Sequence, residues 1–110
     1  MIKNNVKTKW KNKEVVLNSF LSIPNTFTAE IMSEQGYDAL TIDYQHGMIS
    51  FSDLFTMLQS IRSSGVTPIC RVSELDHAVI SKVMDAGALG IICPMINTKK
   101  QAEQLVQDCK

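Results

Sequence analysis

Ala39-Leu40-Thr41-Ile42-Asp43-Tyr44-Gln45-His46-Gly47 decides the reading of this chain. The first residues are an apolar run of strand length, and the run closes on a carboxylate, followed closely by an amide, an imidazole and a glycine. The next apolar run, Val66 to Arg71, closes on a guanidinium. Strands that end in titratable or anion-binding side chains, repeated from one β/α unit to the next, are how barrel enzymes gather a site at one rim.

The flanking segments extend the same alternation. Val15 to Ile23 is β-rich, interrupted by Asn18 and Ser19 and stopped by Pro24. A helix is expected from Thr26 to Gln35, with Phe27 and Ile31 one turn apart and Gly36 as its stop. Ser52 to Ser64 reads as a second helix, capped by Ser52, with Asp53 in the first turn, Leu54, Leu58 and Ile61 inward and Gly65 as terminator. Asp76 caps a third, whose buried face holds Val79, Ile80, Val83 and Met84 and which ends at Gly87. Leu89 to Cys93 is a strand stopped by Pro94. Thr98 and Gln101 have capping-box spacing ahead of a stripe of Ala102, Leu105, Val106 and Cys109.

Four strand–helix units at roughly 25-residue spacing, without hairpin turns between them, predict a parallel sheet built from right-handed crossovers. Near-continuous apolar strands suit a sheet covered on both faces. Two α/β architectures fit: an open doubly wound sheet, or the first four units of a (β/α)8 TIM barrel. A barrel needs about 250 residues. On that reading 1–110 is the N-terminal half of one barrel domain, with 1–14 a basic amphipathic helix and 15–110 units one to four. Such a half leaves two unpaired parallel edges, an association liability.

Composition narrows the function. A chain of 110 residues with 45% hydrophobic and 20% charged residues is globular, and a formal net charge of zero gives no reason to expect nucleic acid or a membrane as partner. Lys3, Lys7, Lys9, Lys11 and Lys13 cluster at the start, but Ile2, Val6 and Trp10 recur at four-residue spacing, so the lysines read as the wet face of a short helix. There is neither a bilayer-length apolar run nor a secretory signal, and a cytoplasmic location is expected. Cys70, Cys93 and Cys109 lack Cys-x-x-Cys spacing and read as buried reduced thiols rather than a zinc site.

His46 stands three positions after Asp43, at the turn out of the strand, where a near-neutral imidazole suits proton transfer. Asp43 and Gln45 accompany it, and Gly47 is read as loosening the backbone there. Arg71 at the end of a buried strand wants an anion or carbonyl partner, since an unpaired guanidinium is costly to desolvate. The alternative is a structural salt bridge to Asp43 or Glu74. Arg62 reads as a helix C-terminal charge, and His77, beside Asp76, as a surface residue. No phosphate-binding glycine motif is present, against a nucleotide fold.

Several strings together resemble the HpcH/HpaI aldolase family: Phe20-Leu-Ser-Ile-Pro24, Gly36-Tyr-Asp38, Ile42-Asp-Tyr-Gln-His-Gly47, Thr67-Pro-Ile-Cys-Arg-Val72, Asp85-Ala-Gly87 and Cys93-Pro-Met95. The resemblance runs from about Val16 to the last residue. It implies a metal-dependent pyruvate aldolase of the type that cleaves 4-hydroxy-2-oxoheptanedioate, on a (β/α)8 barrel that assembles as a homo-oligomer, commonly a hexamer. It implies that His46 is the acid/base acting on the substrate hydroxyl. By the same resemblance Arg71 holds the pyruvyl oxygens and the enolate, and Asp43 orients the histidine or a metal-bound water. Asp85 matches an acid that pairs with the catalytic histidine, across a subunit boundary because it lies late in the third helix.

The metal (Mg, Mn or Co) would be held by a glutamate and an aspartate from later strands, so the resemblance implies no metal ligands within 1–110 and no turnover by this fragment alone. Ser73-Glu74-Leu75-Asp76-His77 stands where many relatives have Pro-Trp-Asn-Asp-Pro, which leaves loop geometry and aldehyde preference open. The expected reaction is carbon–carbon cleavage of a 4-hydroxy-2-oxo acid to pyruvate and an aldehyde. The rival readings are a related lyase acting on a CoA thioester or a sugar-derived acid, and a non-catalytic α/β binding module.

Overall fold

The computed structural model describes residues 2–110. Four parallel strands stand in chain order: β1 (Asn18–Leu21), β2 (Ala39–Asp43), β3 (Thr67–Arg71) and β4 (Gly90–Ile92). Between and beyond them run α2 (Thr26–Ser33), α3 (Phe51–Arg62), α4 (His77–Asp85) and α5 (Lys99–Asp108), and α1 (Asn5–Lys11) precedes the sheet. Every strand leads into a helix and pairs with its sequence neighbour, the β/α repeat that the alternating periods predict.

Register assigns the two faces. Leu21, Ile42, Cys70 and Ile91 are aligned across the strands, and most of this row packs into the core under the helices with Leu54, Met57, Leu58, Ile61, Ile80 and Val83. Asp43, Arg71 and Ile92 form an aligned row on the other face, at the strand ends. Burial pushes the Cys70 thiol up to about 12, which makes it an inert core side chain.

Local chemistry moves several expected boundaries. The first strand shrinks from 15–23 to Asn18–Leu21: Lys13 takes a positive φ of 57°, Val15 is exposed, and pairing begins only at Asn18, whose side-chain oxygen accepts from the Thr41 hydroxyl at 3.0 Å. The cap of α3 is Ser50 rather than Ser52. Ser50 and Asp53 exchange side-chain and backbone hydrogen bonds in a full capping box, satisfying two helix-start donors. The cap at Asp76 and the box at Thr98 and Gln101 stand where expected.

Helix α2 turns Phe27 and Ile31 to solvent and buries Ala29 and Ser33 instead. In α1 only Val6 is buried; Ile2 and Trp10 are exposed, so the four-residue stripe is not a buried face. Residue 1 of the expected N-terminal helix lies outside the described residues. The helix is held by Asn4, whose amide donates to the Leu89 carbonyl at 3.0 Å, and by Lys9, whose ammonium lies 2.6 Å from Asp38. It therefore sits at the end of the sheet where the strands begin. No helix is long and apolar enough to cross a membrane among the described residues.

Candidate active site

The opposite end, where the strands stop, gathers the charged residues that close them. Asp43 and Arg71 are the aligned last residues of β2 and β3, so register alone brings their side chains to one spot. The guanidinium grips the carboxylate at both oxygens: Nε donates to Oδ1 at 3.0 Å and Nη2 to Oδ2 at 2.7 Å. The guanidinium carbon of Arg71 lies over the Phe20 ring of β1, 5.0 Å from its centroid. Asp43 is nearly buried while Arg71 keeps about a quarter of its side chain open. Bonds from Arg71 hold the Asp43 carboxyl below its ordinary range despite burial, and the carboxylate in turn raises Arg71. Both groups are thus charged throughout the neutral range.

The same carboxylate shapes the turn beyond it. Asp43 Oδ1 accepts from the backbone N–H of Gln45 at 3.2 Å and of His46 at 3.1 Å, and Gly47 N–H donates to the Asp43 carbonyl at 3.0 Å. A Cβ at Gly47 would collide with that carbonyl oxygen. The glycine therefore permits a close approach rather than loosening the backbone, as the sequence suggested. His46 rides on this turn with its side chain exposed at the mouth of the sheet.

Of the sequence-derived site residues, Asp43, His46 and Arg71 come together at the strand ends. Of the two carboxylates offered to Arg71, Asp43 is its partner and Glu74 is not. Asp43 engages the His46 backbone rather than its ring. Asp85 is the exposed last residue of α4, at the other end of the sheet, and is not brought near His46 within one chain. Phe20 escaped notice because an aromatic in an apolar strand carries no functional signal. Only its position two strands from Arg71, with β2 between, brings its ring against the guanidinium.

His77 is exposed as expected, yet its Nδ1 lies 2.9 Å from the buried carboxylate of Asp108, tying the start of α4 to the end of α5. As for a cation, no group of three or more His, Cys, Asp or Glu could hold one among the described residues. Both oxygens of Asp43 are already engaged by Arg71. The residues present do not fit a metal centre.

A parallel run of β/α units with an arginine–carboxylate pair and a histidine turn at the strand ends is the architecture of a TIM-barrel enzyme's rim. The comparisons agree. The family model for HpcH/HpaI aldolase/citrate lyase matches residues 17–110, and the chain belongs to that family. It is 40% identical over 102 residues to the hydroxypyruvate/pyruvate aldolase of Rhizorhabdus wittichii, covering 93% of this chain and 41% of that one. It is 33% identical over 106 residues to the 2-keto-3-deoxy-L-rhamnonate aldolase of Escherichia coli, covering 96% and 40% respectively. Among solved structures, a HpcH/HpaI aldolase/citrate lyase family protein from Burkholderia cenocepacia superposes with a TM-score of 0.88 at 27% identity, over 96% of this chain and 42% of that one. The chain thus spans about two fifths of the length of the curated relatives it matches.

Proposed function

We propose that residues 1–110 supply the keto-acid-holding rim of a pyruvate-type aldolase that cleaves a 4-hydroxy-2-oxo acid to pyruvate and an aldehyde. The observation that carries this reading is the bidentate Asp43–Arg71 pair. Asp43 uses Nε and Nη2, the guanidinium carbon lies over the Phe20 ring, and Nη1 makes no hydrogen bond among the described residues. A guanidinium fixed in this way offers its remaining edge to a planar anion, and preorganised donors aimed at developing charge are the largest single contribution to many such reactions.

In this scheme His46 takes the proton of the C4 hydroxyl. The C3–C4 bond breaks, the C4 fragment leaves as the aldehyde, and the electron pair becomes the pyruvate enolate, whose oxygens accept from Arg71. Asp43 positions both groups, one through its side chain and the other through the backbone of the turn. The names of the relatives support a keto-acid aldolase, and the sugar-acid member among them keeps a sugar-derived substrate in view. Asp85 acts, on this reading, from a neighbouring subunit of a homo-oligomer. The divalent cation expected of the family would be ligated by residues outside this segment.

The test is pyruvate release from a 4-hydroxy-2-oxo acid by a full-length chain carrying this segment, beside His46→Ala. The histidine change should slow cleavage while leaving exchange of the pyruvate methyl protons largely intact, because exchange does not need the hydroxyl proton. Equal loss of both activities would remove His46 from the role given to it. Purified 1–110 should release no pyruvate with added magnesium, manganese or cobalt, and steady turnover by it would refute the half-site reading.

A further inference from the structure

One carboxylate at the end of the sheet where the strands stop is committed to nothing among the described residues. Asp43 is held by Arg71, and Asp53 is engaged in the box with Ser50 at the start of α3. Asp76 accepts from the N–H groups of Ala78 and Val79 at 2.9 and 3.2 Å, and Asp108 meets His77 and Gln104. Glu74 is exposed, and its side chain makes neither a hydrogen bond nor an ion pair among the described residues. Its backbone is nonetheless anchored. Glu74 lies in the connection 72–76 between β3 and α4, three residues beyond Arg71. On one side Val72 is fully buried and its N–H donates to the Ile92 carbonyl at 3.0 Å. On the other, Leu75 packs against the core and Asp76 N–H donates to the Glu74 carbonyl at 3.0 Å. Three residues of chain span at most about 11 Å, close to the screening length of about 10 Å at 0.1 M salt, so the charges of Glu74 and Arg71 act on the same mouth.

We propose that Glu74 selects the aldehyde by charge, favouring an uncharged aldehyde over one that carries its own carboxylate. This selection rests on the aldolase reading above and concerns the half of the substrate that Arg71 does not hold. With the pyruvyl oxygens on Arg71 and the C4 hydroxyl at His46, the fragment beyond C4 continues across the mouth. Asp43 already balances Arg71, so Glu74 leaves these three groups one negative charge in excess. A carboxylate on the aldehyde half meets that excess with no cation of its own in 72–76, whereas an uncharged fragment meets no repulsion.

In a full-length protein carrying this segment, aldol addition of pyruvate to glyoxylate and to glycolaldehyde compares a carboxylate with a hydroxymethyl group on aldehydes of equal length. Glu74→Gln should raise kcat/KM for glyoxylate relative to glycolaldehyde by about tenfold, and Glu74→Lys by more. The Glu74→Lys gain should shrink as salt is raised, because an exposed charge is screened. The urea midpoint should not move, since Glu74 packs against nothing. Exchange of the pyruvate methyl protons involves no aldehyde and reads the pyruvyl end separately. A ratio that neither substitution moves, in a parent that exchanges these protons and forms an adduct, overturns the selection by Glu74 alone. A parent that does neither breaks the aldolase reading, and the selection falls with it.

Discussion

Two aspartates bracket β2, and each pairs with a cation, yet they do different things. Asp38, before the strand, accepts from the backbone N–H of Leu17 at 2.8 Å and meets the Lys9 ammonium at 2.6 Å. Asp43, the strand's last residue, accepts from two backbone N–H groups and from both arms of Arg71. Both carboxyls are held below their ordinary range, Asp38 chiefly by the Leu17 amide and Asp43 chiefly by the Arg71 guanidinium. The Asp38 pair is exposed, single-armed and reaches a flexible lysine, so it clips α1 and the start of β1 to the floor of the sheet. The Asp43 pair is nearly buried on the acid side and geometrically locked. It leaves Nη1 without a hydrogen-bond partner among the described residues. The presence of an ion pair says little; burial, fork geometry and the edge left free decide whether it braces or binds.

The sharpest way to break that contrast is to remove the cations. In a full-length protein, Arg71→Ala should lower pyruvate release by about a hundredfold to a thousandfold, the cost of losing a fixed donor to developing negative charge. Arg71→Lys should rescue little of it, because a point charge cannot grip Asp43 with two arms. Lys9→Ala at the other end should leave the rate unchanged, and a comparable loss there would erase the distinction.

The glycines beside the two aspartates extend the comparison to stability. Gly47→Ala forces a methyl into the Asp43 carbonyl and should cost about 1–3 kcal/mol in urea unfolding. Gly36→Ala meets open space but sits at a φ of 94°, so it should cost only the left-handed strain, about 1 kcal/mol. Equal costs would mean that the turn at the mouth relaxes freely.

Acid should separate the two carboxylates by a smaller margin. A depressed folded-state pKa contributes stability that is fully present above the ordinary value of 3.8 and is lost as pH falls through the lower folded value. Stability should therefore drop on the acid side of that value, and Asp43→Asn should flatten the drop more than Asp38→Asn. Smallest of all, salt titration should change the stability of the parent and of Lys9→Ala almost alike, since an exposed single-armed pair is already screened.

Much of the fold was legible beforehand because it rests on local rules. The alternation of strand and helix, the glycine stops at Gly36, Gly65 and Gly87, the cap at Asp76 and the box at Thr98 and Gln101 all follow from periodicity and from unsatisfied helix-end groups. The Ser50–Asp53 box has the same three-residue spacing as the one at Thr98, yet the sequence reading places the cap at Ser52. Phe27, Ile31 and Trp10 misled for a different reason: helical spacing marks a face without saying which neighbour covers it.

The candidate site divides along the same line. That Asp43 and Arg71 end successive strands was written in the order of residues, as was the histidine turn that follows. That they meet, that Phe20 lies against the pair and that Gly47 answers a steric demand were settled only by folding, whereas the place of Asp85 late in α4, away from His46, was already readable. Sequence determines what each short segment prefers, because capping, turns and alternation act over a few residues. Register, the stacking of one strand's ring over another's cation, and the outward turn of a helix face depend on groups far apart in the chain, and only the tertiary structure brings those together.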